Sequence, residues 1–222
     1  QLAQIDVFSG KAFIFADVSS LLLKLLNKTI ILTLHGGGLP EFAKQFPAWI
    51  KRVFSRADAI VTPSKFHINE LSHIYTDMRF IPNPVDLSIS LYRKRDNPLP
   101  KLVWVRAFHQ IYNPTLVIEV LRIMKSSYPE TELLMIGPDK NDGSLIQVNA
   151  VSKEYSLENM VHIVGGVLQT EIPIWLNKAD IFINTSNVDT APRSVLEAMA
   201  NGLCVVSTNI GGLPYLIEDG KS

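Results

Sequence analysis

One cysteine in 222 residues excludes an internal disulfide, and the five histidines together with that thiol show no metal-ligand spacing. Cys204 lies in the apolar run LCVV and is expected as a small core residue in a reducing compartment. Excess charge is missing as well. Lys plus Arg (21) equals Asp plus Glu (21), so no global field recruits nucleic acid or a membrane surface. No uncharged apolar run reaches the length of a bilayer span, because Asp17, Lys24 and Lys28 interrupt the greasiest stretch. No signal peptide opens the chain, which starts at Gln1 without methionine and stops at IEDGKS; it reads as a piece of something longer. What is present is 47% hydrophobic and 19% charged residues, ample for a core and unlike a disordered chain. That length allows one large domain or two small ones.

Short apolar runs alternate with helix-length periodic stretches. Strands are expected at TIILTLH (29–35), AIVTP (59–63), RFIPN (79–83), KLVWVRA (101–107), ELLMIG (132–137), VHIVG (161–165), DIFINT (180–185) and LCVVST (203–208), with a weaker one at IDVFS near the start. Helices are expected at 114–127 and 192–201, each with proline in its first turn. Apolar strands separated by helices indicate parallel sheets built from right-handed βαβ units, an α/β class. The segment PVDLSISLYRKRDNPLP (84–100) breaks this rhythm and reads as a linker. It leaves about four strands before it and five after it, hence two doubly wound units, the first truncated at its beginning.

In open parallel sheets ligands bind beyond the carboxyl ends of the strands, so the residues just after each strand carry the functional signal. Two loops share a tetrapeptide, LHGGGLPEF after the strand ending near His35 and NIGGLPYL after the strand ending near Thr208. Glycines admit close backbone approach, and a helix start offers free N–H groups to an anion; equally, Gly-Gly makes a tight strand-to-helix turn. Two such loops at equivalent sheet ends suggest a shared cleft, with His35 at its mouth as a neutral donor or acceptor. Arg106 follows LVWV and suits a diphosphate held bidentately, or a surface pair with a neighbouring acid. Lys140, between Asp139 and Asp142, is a second phosphate candidate within turn chemistry. Arg193, Glu197 and Asn201 are spaced i, i+4, i+8 and form one solvated stripe in the plainest reading, with Arg193 pairing weakly to Glu197. Against it, their helix begins after a strand, and its dipole adds to an anion site there.

The combination resembles the retaining glycosyltransferases of family 4, which have the GT-B fold. DTAPRSVLEAMANGLCVVSTNIGGLPYLIEDG is similar to that family's donor-binding region: an acid, seven residues, a Glu before Ala-Met-Ala, then Gly, an apolar strand and Gly-Gly. TLHGG (33–37), VTPS (61–64), IPNPVD (81–86) and VWVRAFH (103–109) resemble further family elements, in the expected order from His35 to Gly220. The resemblance implies two Rossmann-like domains facing a cleft: 1–88 as a partial acceptor-side domain and 89–222 as the nucleotide-sugar donor-binding domain.

It also implies roles. Glu197 would bind the ribose hydroxyls of a nucleotide-sugar donor, since a carboxylate accepts from two vicinal hydroxyls at once. Asp189 would address the donor sugar, helped by backbone N–H groups around Thr190 and Ala191. Arg106 and the helix start at Ser194 would take the diphosphate, with Lys140 as a further contact. His35, beside Gly36 and Gly37, would reach the transferred sugar from the other domain. The implied reaction moves the sugar to an acceptor hydroxyl with retained configuration, with no metal and no other cofactor.

Three departures stand out. The first acid is Asp189 where the family usually has Glu. RAFHQIYNP lacks the Lys that commonly follows the arginine, leaving His109, Tyr112, Asn113 or Lys140 as substitutes. Nothing before Gln1 supplies the family's opening strand and glycine loop. Two alternatives stay open: a nucleotide-sugar-binding fragment without turnover, and a nucleotide-sugar epimerase of the related fold. A cytoplasmic location is expected. KQFPAWIKRVFSR (44–56) mixes aromatic and basic residues as peripheral membrane helices do, or forms a half-buried helix on the sheet, the favoured reading.

Overall fold

The computed structural model describes residues 1–221, which fold into two compact units. The first unit comprises Gln1–Asn83 together with Val188–Ala191 and Ile210–Glu218. Its sheet has four parallel strands, β1 (Leu2–Val7), β2 (Thr29–Leu34), β3 (Ala59–Thr62) and β4 (Met78–Phe80), in spatial order β1-β2-β3-β4. Connections run through α1 (Phe13–Leu25), the pair α2 (Leu39–Gln45) and α3 (Pro47–Phe54), and α4 (Lys65–Leu71). Right-handed crossovers between strands taken in sequence put these helices on one face of the sheet. The burial pattern agrees. Ile30, Leu32, Leu34 and Ile60 are fully buried against Phe13, Ile50, Val53 and Phe54, whereas the alternate Ile31 and Thr33 are half-exposed. The outer face of α1 leaves Ile14, Phe15, Val18, Leu22 and Leu25 exposed.

The second unit comprises Pro84–Asn187, Pro192–Asn209 and residues 219–221. Its five parallel strands are β5 (Lys101–Val105), β6 (Glu132–Ile136), β7 (Val161–Gly165), β8 (Ile181–Asn184) and β9 (Cys204–Ser207), in order β7-β6-β5-β8-β9. The helices are α5 (Pro114–Lys125), α6 (Ser144–Glu154), α7 (Ile172–Leu176) and α8 (Arg193–Ala200). Winding reverses at β5, whose neighbours are β6 and β8, so the carboxyl ends of β5 and β8 flank the topological switch point. β5 is buried from Leu102 to Val105, with the Trp104 indole donating to Thr185 Oγ1 at 2.9 Å. Arg106 is the first residue beyond it.

All nine expected strands form among the described residues, but several finer expectations are corrected. Cys204 is exposed, because β9 is an edge strand paired only to β8. The stretch 44–56 is two helices, interrupted at Phe46 because Pro47 cannot continue the α2 hydrogen-bond ladder. Its Trp49, Arg52 and Arg56 side chains are engaged with Asp17 of α1, at 2.6, 2.7 and 2.6 Å. Pro192 is the N-cap of α8 instead of its first helical residue. The NIGGLP loop leads into a single 3-10 turn, Leu213–Tyr215, instead of an α-helix.

The segment 84–100 has no regular structure, yet it is tied to the second unit and does not dangle. Asp180, 3% exposed, accepts from the guanidinium groups of Arg93 and Arg95 and from the Leu99 backbone N–H at 2.9 Å. Arg95 also donates to the carbonyls of Ala179 and Asn201 at 2.9 and 2.7 Å. Burial alone would raise the Asp180 carboxyl; the Leu99 N–H and the two guanidiniums outweigh it and hold the group below its ordinary value. No helix among the described residues is long and apolar enough to cross a membrane.

Candidate functional site

In the second unit, polar groups collect past the switch point. The Arg106 guanidinium lies over the Tyr112 ring, 4.9 Å from its centroid, which fixes a long side chain by cation–π contact. Tyr112 thus supports the arginine, and of the four residues considered as stand-ins for the missing Lys it alone is joined to it. His109 is turned elsewhere: Nδ1 accepts from the Ile111 N–H at 3.1 Å, and Nε2 is 3.8 Å from Asp142. Asn113 is a left-handed turn residue at the start of α5. Lys140 is exposed in the loop after β6, its backbone N–H donating to Phe108 at 3.1 Å. Asp142 in that loop accepts from the backbone N–H groups of Gln110 and Ser144, which lowers its carboxyl to about 2. Gly137 is required where these loops meet: a Cβ there would lie 1.8 Å from the Arg106 carbonyl oxygen.

Helix α8 starts at Arg193 with no side chain capping it, so its first turn is open to an external acceptor. Ser194 is 8% exposed, and its hydroxyl has no hydrogen-bond partner among the described residues. One turn on, Glu197 is also only 8% exposed and Asn201 only 1%, so the expected solvated stripe is corrected: it is exposed at Arg193 and buried at Glu197 and Asn201. The cause is packing. Asn201 donates to the Glu197 carbonyl at 2.8 Å and accepts from the Leu91 N–H at 2.7 Å, so the segment 84–100 lies over that side of α8. The pairing of Arg193 with Glu197 does form, Nε to Oε1 at 2.8 Å, and Gln169 Nε2 donates to the same oxygen at 2.6 Å. Burial nevertheless dominates and raises the Glu197 carboxyl, against the pull of Arg193, Gln169 and Arg106. Arg106, Ser194 and Glu197 therefore belong to one neighbourhood: a buried carboxylate, a guanidinium and an uncapped helix start.

In the first unit the structure gathers the other candidates. The His35 ring stacks on Phe8, centroids 5.3 Å apart, and Nε2 is 3.3 Å from Asp6 Oδ1. Gly36 has φ +80, a conformation that favours glycine, and its carbonyl accepts from His67 Nε2 at 3.0 Å. His67 is fully buried, with Nδ1 2.9 Å from Thr62 Oγ1. Burial lowers His67 to about 4, so it is neutral at physiological pH. A carbonyl can only accept; Nε2 therefore carries the proton and Nδ1 accepts from the Thr62 hydroxyl.

Both glycine loops close on the Asp189 segment. A Cβ on Gly37 would lie 2.8 Å from Asp189 N, one on Gly211 2.1 Å from Asp189 O, and one on Gly212 1.5 Å from Thr190 O. Ser64 Oγ donates to Thr190 O at 3.1 Å and Asn83 Nδ2 to Ala191 O at 2.8 Å. The Thr190 N–H, expected to face a sugar, is engaged by the Asp189 carboxylate at 2.9 Å. The shared GGLP tetrapeptide thus serves close backbone approach. Among the described residues no group of three or more His, Cys, Asp or Glu is arranged to hold a metal.

Gln169 and His67 carry the geometry yet escaped the sequence reading. Gln169 opens a 3-10 turn, Gln169–Glu171, that has no periodicity to detect, and His67 lies on a seven-residue helix where a histidine reads as solvated. The strand-end pattern Thr62, Ser64, then His67 was the available signal.

Against this geometry the comparisons with known proteins are direct. Residues 2–89 match the family described as Glycosyltransferase Family 4, and residues 93–222 match Glycosyl transferases group 1. The chain is 27% identical over 218 residues to the amylovoran biosynthesis glycosyltransferase AmsK of Erwinia amylovora, covering 90% of this chain and 52% of that protein. It is 24% identical over 214 residues to the D-inositol 3-phosphate glycosyltransferase of Paenarthrobacter aurescens, covering 86% of this chain and 50% of that protein. The chain thus spans about half the length of these curated relatives. Anabaena HepE, solved with UDP and glucose, is similar in structure with a TM-score of 0.81 at 18% identity, over 98% of this chain and 62% of that one. Sucrose-phosphate synthase from Thermosynechococcus elongatus gives 0.77 at 18% identity, over 98% of this chain and 58% of that one. At such identity the likeness establishes the fold, which is of the GT-B type. The match from Arg93 onward alone takes in more than half of the residues, and the chain belongs to the glycosyl transferases group 1 family.

Proposed function

We propose that this chain binds a nucleoside-diphosphate sugar and that the protein containing it transfers the sugar to an acceptor hydroxyl with retained anomeric configuration. The carrying observation is Glu197, a carboxylate 8% exposed and raised by burial, beside an uncapped helix start. A buried acid left this short of donors is suited to accept from two ribose hydroxyls, each a charge-assisted hydrogen bond. Arg106 and the first turn of α8, with the Ser194 hydroxyl, take the diphosphate. Lys140 is the outer cation. In the first unit, Asp189 and Ala191, and His35 beside Gly36 and Gly37, are the groups we assign to a sugar.

In the reaction the acceptor oxygen attacks the anomeric carbon on the face the leaving group departs from. The bond from that carbon to the phosphate oxygen breaks, and the departing phosphate oxygen takes the acceptor's proton. Negative charge grows on the diphosphate, where Arg106 and the α8 dipole stabilise it, so fixed positive groups do the work a metal ion does elsewhere.

UDP is the first nucleotide to try, since HepE was solved with it. The test incubates the chain with UDP-, GDP- and ADP-linked sugars and follows both binding and release of the nucleoside diphosphate. Binding with release supports the transferase reading. Binding without release favours the alternative of a binding fragment, consistent with the half-length match to curated relatives. An epimerised sugar nucleotide as product would identify the epimerase and overturn the proposal.

A further inference from the structure

Resting on the assignment of Glu197 to the ribose, the geometry points to Gln169 as a positioning residue that determines which oxygen of Glu197 the ribose meets. Two side chains hold the carboxylate at Oε1: Gln169 Nε2 donates to it at 2.6 Å, and Arg193 Nε pairs with it at 2.8 Å. Both contacts are to Oε1, and Oε2 is the oxygen we assign to ligand hydroxyls. Arg193 sits on α8 itself, four residues before Glu197, and its side chain is about half exposed, 47%. Such a pair along one helix contributes little.

Gln169 comes from a different element. Its 3-10 turn precedes α7 and is closed by its own bond, Glu171 accepting from the Leu168 N–H at 2.9 Å. α7 in turn packs on α8. The amide therefore reaches Glu197 from a fixed backbone and sets the rotation of the carboxylate about its last bond, which the arginine alone leaves loose. The same donor offsets part of the burial that raises the group. Gln169 and Glu197, with Arg193 and Asn201, line one crevice beside the segment from Val85 to Ser90.

The experiment compares two ligands that differ only at the ribose. The full chain is titrated with UDP and 2′,3′-dideoxy-UDP, or with the GDP or ADP pair if that base binds best. Parallel titrations use Gln169→Leu, Glu197→Ala and inorganic pyrophosphate. The wild type is expected to prefer the ribose form by ~10-fold or more, as charge-assisted hydrogen bonds to a carboxylate allow. Gln169→Leu is expected to bring that ratio below ~3, with pyrophosphate affinity unchanged. A merely structural role would weaken all three ligands alike. If Gln169→Leu fails to fold, Gln169→Glu keeps the length and replaces the donor by an acceptor, with the same loss expected.

A wild-type ratio retained in either folded Gln169 variant overturns the role of Gln169 while leaving Glu197 on the ribose, provided Glu197→Ala abolishes the ratio. No ribose preference in the wild type, or one that survives Glu197→Ala, overturns the ribose assignment itself and the positioning role with it.

Discussion

Asp180 and Glu197 are both acids buried in the second unit beside arginines, yet their surroundings drive them in opposite directions. Asp180 sits at the start of β8 and receives two guanidiniums and a backbone N–H, enough to hold it below its ordinary value despite burial. Glu197 receives one guanidinium, half exposed, and one neutral amide, both on a single oxygen, and burial raises it. A buried acid whose lone pairs are filled is a lock; one that remains short of donors is suited to a ligand that brings its own. The first ties the segment 84–100 to its sheet. The second stands at the switch point of the same sheet, with Arg106 nearby.

The comparison breaks most visibly at Asp180. Asp180→Ala leaves the Arg95 guanidinium, 2% exposed, buried without its anion, and is expected to cost about 3–5 kcal/mol in urea unfolding. A cost below about 1 kcal/mol would remove its status as a lock. Glu197→Ala is expected to spare the fold and to weaken nucleoside-diphosphate binding by roughly 10- to 100-fold in titration.

Titration of stability sharpens the contrast through its sign. Asp180 is lowered, so its contribution is present above the unfolded value of 3.8 and is lost as pH falls through the folded one. Glu197 is raised, so between 4.5 and its folded value the native state holds more protons than the unfolded state. Stability from this group therefore falls as pH rises through that window. Glu197→Gln is expected to flatten the pH dependence above 4.5, and Asp180→Asn to flatten it below 3.8, in thermal unfolding followed across pH. The smallest effect is at Ser194. Its hydroxyl is buried without a partner, so Ser194→Ala should leave stability within about 0.5 kcal/mol or raise it, while binding weakens a few-fold.

The strands were legible because parallel-sheet strands are apolar on nearly every residue, and turn residues bracket them; β5 to β9 needed nothing more. Arg106 was legible as the first polar residue after an apolar strand; Glu197 was singled out by the family resemblance, since its spacing from Arg193 and Asn201 fits a solvated stripe equally. The burial of Glu197 was not legible, since it depends on Asn201 capturing the Leu91 N–H from a segment that carries no pattern. Cys204 misled because an apolar run looks the same in an edge strand as in a central one. The GGLP loops left anion binding and a tight turn both open; that their glycines make room for the backbone at Asp189 and Thr190 was not legible, because it is set by residues more than 150 positions from Gly37.

The most direct test of the central claim, that Glu197 is a ligand-binding acid and not a second lock, is calorimetric titration of the chain with UDP-, GDP- and ADP-linked sugars beside Glu197→Ala. The account predicts micromolar binding of one donor by the wild type and its loss in a variant whose unfolding midpoint is preserved. Binding that survives the substitution unchanged, or a variant that unfolds as Asp180→Ala does, would contradict it.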